Sequence, residues 1–157
     1  MNVPVPLPDL DALRAECRAM VRRRAALSAS VAVVPLPGVD VATDLTLLME
    51  LIPAITLRFG LTPQQIDGLP LEKQALVYGV VKKAGSLLIG RVVTQELLLT
   101  VLKKVGVRLT VKQVARFVPV LGQAAAAGLS YGAMVYLGHT HIEHCYRVAR
   151  ALREGHD

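Results

Sequence analysis

Gln123-Ala124-Ala125-Ala126-Ala127-Gly128-Leu129-Ser130-Tyr131-Gly132 opens a helical run that continues to about Arg153, the longest in the chain. The surrounding stretch from Phe117 to Ile142 contains no Asp, Glu, Lys or Arg. It is long enough to cross a hydrocarbon layer of about 30 Å. Its Ala and Gly content, with Pro119, Gln123, His139 and His141, makes insertion marginal. The reading adopted is a central buried helix, with Ala124 to Tyr136 innermost. Ala124, Gly128 and Gly132 lie one turn apart and form a small-residue stripe that lets another helix backbone approach closely, in this chain or in a second copy.

Working back from that helix, Val118-Pro119-Val120-Leu121-Gly122 is a turn, and Val34-Pro35-Leu36-Pro37-Gly38 echoes it 84 residues earlier. Pro35, Gly38, Pro119 and Gly122 are therefore expected to mark structural turns, each introducing a long apolar helix. Before Pro35, Leu10, Leu13, Cys17, Met20 and Val21 recur at helical spacing while Arg14, Arg18 and Arg22 line another face, which predicts a helix from about 9 to 33. Val39 to Phe59 reads as a second, apolar helix, with Asp40 and Asp44 favoured by the dipole near its start. Its acids and Pro53 argue against a membrane span there. Thr62-Pro63-Gln64-Gln65 supplies a capping residue, a first-turn proline and a capping-box glutamine for a short third helix. From Leu71 to about Val105 the pattern predicts two helices meeting near Gly90, and Thr110-Val111-Lys112-Gln113 repeats the capping box before a short basic helix. Residues 1–8, with three prolines, form an extended arm, and 9–157 a single helical domain. The expected fold is all-α, a bundle of about six or seven helices.

The composition agrees with close helix packing. Hydrophobic residues make up 53% of the 157, aromatic residues only 4%, and Trp is absent, so the core must be Leu, Val, Ile and Ala. A mean hydropathy of +0.46 beside a net charge of +6 is unusual for a soluble basic protein and brings membrane contact into view. Residues 73–116 carry nine Lys or Arg against Glu96 alone, whereas 37–72 carry Arg58 against five acids. That asymmetry suits an anionic surface, and it suits equally two segments that pair with each other. Lys82, Lys83, Lys103, Lys104, Arg108, Lys112 and Arg116 are the candidates for anionic-surface binding.

Several chemistries find little footing. Cys17 and Cys145 lie far apart and make neither a disulfide framework nor a Cys-x-x-Cys site. Arg22-Arg23-Arg24 sits behind a mixed-charge segment and does not begin a cleaved signal. His141 and Cys145 are one turn apart and His144 shares their face, but no remote fourth ligand completes a zinc site, and no metal or cofactor is expected. Thr110 to Arg116 is similar to the first helix of a helix-turn-helix, yet the next helix has nothing to read bases, so nucleic acid is not the expected partner. No Gly-x-x-x-x-Gly-Lys-Ser/Thr or His-Glu-x-x-His occurs, and Ser86 and Ser130 lie in apolar helical sequence without an evident base. No enzymatic activity is expected.

Taken in order, Val34-Pro35-Leu36-Pro37-Gly38-Val39-Asp40-Val41-Ala42-Thr43-Asp44, Phe59-Gly60-Leu61, Arg116-Phe117-Val118-Pro119-Val120-Leu121-Gly122 and Gly128-Leu129-Ser130-Tyr131-Gly132 resemble the helical domain of interferon-inducible, immunity-related GTPases. They also resemble the helical part of bacterial GTPase-associated membrane proteins. The resemblance covers residues 30 to 153 or so and implies an all-α fold, early helices packed on late ones, and a role beside membranes. The nucleotide-binding domain of those GTPases has no counterpart here, so no GTP hydrolysis and no catalytic residue carries over. The function expected is a cytoplasmic adaptor, peripheral to an anionic membrane or linked to a separate GTPase. The alternatives are a membrane-inserting or pore-forming element, with 117–142 entering lipid, and a self-assembling structural subunit using Gly128 and Gly132.

Overall fold

The computed structural model describes residues 8–32, 39–101, 103–104 and 122–155. Among them the chain is helical apart from short turns, with no strand, and the all-α reading holds. The helices are α1 (Leu10–Ala32), α2 (Val39–Arg58), α3 (Pro63–Asp67), α4 (Leu71–Ala84), α5 (helical over 95–101 and at 103–104) and α6 (Gly122–Glu154). The Pro-rich arm up to residue 7, the turns around Pro35, Gly38 and Pro119, and the segment carrying Arg108, Lys112 and Arg116 lie outside the described residues.

The local signals act where the sequence places them. Thr62 caps α3: its Oγ1 accepts from the Gln65 backbone N–H (3.2 Å), and the Gln65 side chain accepts from the Thr62 N–H (3.0 Å). Two helices end in the same left-handed glycine cap. At Gly85 (φ +70°) the Gly85 N–H reaches the Lys82 carbonyl and the Ser86 N–H reaches Val81, while Gly60 (φ +74°) closes α2 likewise. A Cβ at such φ is strained, which is why glycine stops these helices. The run from Leu71 to Val105 divides into two helices around Gly90 as expected, but the stop at Gly85 keeps them from meeting there. Helix α4 ends at Ala84, residues 85–94 are non-helical, and Thr94 caps α5 by accepting from the Leu97 N–H (3.2 Å). Leu88 and Ile89 in that connection are buried, so the break between the two helices belongs to the core.

One core joins the six helices of the described residues. Cys17, Val21 and Ala25 project from α1 and Leu48, Leu51, Ile52 and Ile55 from α2 onto Met134, Leu137, Ile142, Cys145 and Val148 of α6. Each large apolar side chain so buried contributes about 1.5–3 kcal/mol. Within residues 131–154 of α6 the core surrounds 134–149 while Tyr131 and Tyr136 stay exposed; the burial of 124–130, the first part of the expected central stretch, lies outside what is described. The reason is the partner. Helix α1 packs on α6 more extensively than any other pair of helices does and runs antiparallel to it. Arg153 Nη2 donates to the Pro8 carbonyl (2.5 Å), Tyr146 Oη donates to Asp11 (2.9 Å), Arg14 and Arg18 bond Glu143, and Val21 meets Gly138. A Cβ on Gly138 would stand 2.7 Å from both Val21 methyl carbons, so the two helices approach closely here. At Gly132 a Cβ would meet nothing within 4 Å, so among the described residues this glycine brings no second helix close; the surroundings of Ala124 and Gly128 lie outside the described set.

Candidate functional site

On the side of α6 away from α1, the end of α4, the 85–88 turn and α5 enclose a cavity of about 450 Å³. Leu87, Leu88, Val101 and Leu137 give it apolar walls, and Ser86, Lys104, Thr140, His141 and His144 bring polar groups to it. The Gly85 cap determines where Ser86 stands. Its Oγ accepts weakly from the Leu88 (3.4 Å) and Ile89 (3.3 Å) N–H groups and so shapes the turn.

His141 is the buried polar centre of the region, 1% exposed. It lines the cavity, and its Nε2 reaches Thr56 Oγ1 on α2 at 2.8 Å. The Thr56 hydroxyl is also 2.9 Å from the Ile52 carbonyl, to which it donates, so its oxygen accepts from His141 and the imidazole proton belongs on Nε2. Nδ1 is then a bare acceptor, buried and without a partner. Burial, reinforced by the charge of His144, pushes the His141 pKa down from 6.5 to about 3 despite the Ile52 carbonyl, so the ring is neutral at physiological pH. Burial and then the Arg147 charge lower His144 as well.

Among the described residues the remaining histidine, His139, and Cys17 stand apart from this group, and Cys145 touches it only at His141. His139 lies toward α1, where burial and the charges of Arg18 and Arg22 lower its pKa. Cys145 Sγ is 3.6 Å from His141 Nε2, and burial raises the pKa of both Cys145 and Cys17, leaving two inert thiols. Among the described residues no three His, Cys, Asp or Glu side chains converge as a metal site. Ser130 stands in Gly128-Leu129-Ser130-Tyr131-Gly132, which has the Gly-x-Ser-x-Gly spacing of a nucleophile elbow and gives that serine a motif the sequence reading passed over. The elbow requires a strand-to-helix turn, and here the five residues run inside α6.

Among the described residues five arginines are held by carboxylates. Arg14 and Arg18 close on Glu143 at 2.6 Å, Arg24 on Glu50 at 2.7 Å, Arg58 on Glu16 at 3.4 Å, and Arg150 on Glu154 at 2.8 Å. Glu50, from the acidic segment, therefore pairs with α1 and not with the basic segment 73–116. Lys82 and Lys83 in the last turn of α4, and Lys103 and Lys104 on α5, are exposed and take part in none of these pairs. The α4 end and Lys104 border the same cavity, whose rim also holds the exposed Tyr136 and Leu87. Sequence reasoning picked out these lysines. It missed the cavity, whose walls come from segments separated by tens of residues.

Against known protein families, characterised proteins and solved structures, the chain has no significant match.

Proposed function

We propose that the chain is a non-enzymatic helical module that binds an anionic membrane surface through its lysine-bearing side. One observation carries this reading: Lys82, Lys83, Lys103 and Lys104 are exposed and take part in none of the ion pairs among the described residues, whereas Arg14, Arg18, Arg24, Arg58 and Arg150 are each held by a carboxylate. A lysine free of acids keeps its full attraction for an anionic bilayer, about 1 kcal/mol each near the surface. Tyr136 and Leu87, exposed at the cavity rim beside Lys104, suit the headgroup boundary. Lys82 and Lys83 also favour the negative end of α4, a structural role that does not use up their charge.

Insertion is the second reading, favoured by Leu45–Asp67, which by length and composition could cross a membrane (mean hydropathy 1.5). That stretch contains Pro53 and the Gly60 turn, and its Leu48, Leu51, Ile52 and Ile55 are core residues, so entering lipid would dismantle the core. Surface binding requires no such cost. A separate GTPase as protein partner rests on the sequence resemblance alone, and self-association on the small-residue stripe alone.

Co-sedimentation with phosphatidylserine-containing and pure phosphatidylcholine vesicles tests the proposal. Pelleting with the anionic vesicles only, abolished by Lys82→Glu, Lys83→Glu, Lys103→Glu and Lys104→Glu together, is the expected result. Equal pelleting of wild type and the quadruple variant would refute it, and carbonate-resistant association would establish insertion instead.

A further inference from the structure

The cavity beside α6 sorts its lining by polarity. Its volume of about 450 Å³ lies within the range of small-ligand sites, roughly 300–1,000 Å³. Leu88 (5% exposed), Val101 (8%) and Leu137 (5%) make its inner wall, contributed in turn by the 85–94 connection, α5 and α6. Lys104, Leu87 and Tyr136 are exposed and therefore mark its mouth. No Asp or Glu stands among the described residues that line it, and its one Lys or Arg, Lys104, takes part in none of the ion pairs among the described residues. Burial disfavours the charged form of His141 and His144, the histidines of the lining, so the cavity carries a single positive charge, at its entrance.

An apolar interior with one cation at its mouth selects its occupant. A neutral hydrocarbon would leave the ammonium unmatched, and a dianion would bring a second charge for which the lining has no cation. We propose that the cavity binds one medium-chain fatty acid, its carboxylate at the Lys104 ammonium and its hydrocarbon chain along Leu88, Val101 and Leu137. Each methylene withdrawn from water onto those walls gains about fourfold in affinity, so the chain supplies most of the binding and Lys104 fixes its direction. This site goes beyond the surface-binding reading and does not rest on it, since a fatty acid reaches the cavity from solution.

The test titrates the full chain with hexanoate, octanoate, decanoate and 1-decanol, each below its aggregation limit, by isothermal titration calorimetry. The acids should bind saturably at one site and tighten about fourfold per added CH₂. Lys104→Met should weaken decanoate about fivefold and leave 1-decanol unchanged. Thr140→Phe, at a half-buried wall position on α6, should fill the space and weaken both about tenfold or more, the equivalent of two methylenes lost. In the wild type the methyl resonances of Leu88, Val101 and Leu137 should shift as decanoate is added, a readout that requires no variant to fold. Lys82→Glu with Lys83→Glu, neither of which lines the cavity, should weaken vesicle pelleting and change decanoate binding less than about twofold, so the two proposals fail separately. The inference is overturned if no acid binds saturably, if the shifting methyls lie outside the lining, if Thr140→Phe binds decanoate as the wild type does, if Lys104→Met weakens 1-decanol as much as decanoate, or if the Lys82 and Lys83 reversal abolishes decanoate binding, which would put the acid on the lysine surface.

Discussion

The two flanks of α6 are built on opposite principles. Toward α1 the helix is closed: Gly138 admits the Val21 methyls, and Glu143 accepts three bonds of 2.6–2.7 Å from Arg14 and Arg18, with the Arg14 guanidinium also 4.8 Å above the Tyr146 ring. Toward α4 and α5 the same helix borders empty volume, and the nearby cations have no carboxylates. A planar guanidinium matches a carboxylate fork, whereas an ammonium on a flexible stem stays hydrated and available. Arg14 and Arg18 serve the packing of α1 on α6, while Lys82, Lys83, Lys103 and Lys104 stay available. His141 stands between the flanks, tied to α2 through Thr56 and lining the cavity with the same ring.

Acid should break this arrangement most severely, and at His141. The unfolded chain takes a proton near 6.5 and the folded one only near 3, so between these values the unfolded state binds more protons and stability falls as the pH falls. Urea unfolding at pH 7 and pH 4 should differ by about 3 kcal/mol from this group. His141→Gln should flatten most of that slope, leaving the smaller contributions of His139 and His144, whose pKa values are also lowered. A wild-type slope unchanged by His141→Gln would mean that the ring is not sealed as described.

Next in size is the closed flank itself. Gly138→Ala places a methyl 2.7 Å from Val21 and should cost about 1–3 kcal/mol, even though alanine favours the helix. Adding Val21→Ala should recover part of the loss, and a purely additive double variant would deny the contact. Smaller again is Glu143→Gln. Burial raises the Glu143 pKa, but the bonds and charges of Arg14 and Arg18 outweigh it and hold it below the ordinary value. That stabilisation is present above the unfolded carboxyl pKa and is lost as the pH falls through the folded one. Because all three side chains are partly exposed, removing the charge should cost only about 1 kcal/mol by thermal melt at neutral pH. Smallest of all is the open flank: the quadruple lysine reversal should change stability by less than about 0.5 kcal/mol while abolishing vesicle binding. A large loss of stability would show that the lysines are structural after all.

What the sequence made legible follows the range of the interaction. The Thr62 and Gln65 box acts across three residues, and the helical spacing of Leu13, Cys17 and Val21 across one or two turns, so both could be read from the chain directly. The exposed lysines were legible because nothing near them in sequence neutralises them. Thr56 and His141 are 85 residues apart, and Arg14 and Glu143 are 129, so no local pattern announces either pair. His141 and Cys145 were weighed as zinc ligands on their spacing alone; burial against α2 and α1 is what withdraws both from solvent. The break at Gly85 was hidden by Leu87-Leu88-Ile89, whose apolarity serves the core from a turn.

The bond from Arg153 to the Pro8 carbonyl brings the start of α1 beside the finish of α6, so the pair forms a loop of chain closed end to end. A circular permutant could use that proximity: join the segments beyond Pro8 and Arg153 with a short linker and open the chain within 85–94. The α1 and α6 partners would then be near neighbours along the polymer, and a protein whose most extensive helix pairing now has the greatest sequence separation would acquire the low contact order of a helical hairpin, with the faster folding that local topology brings.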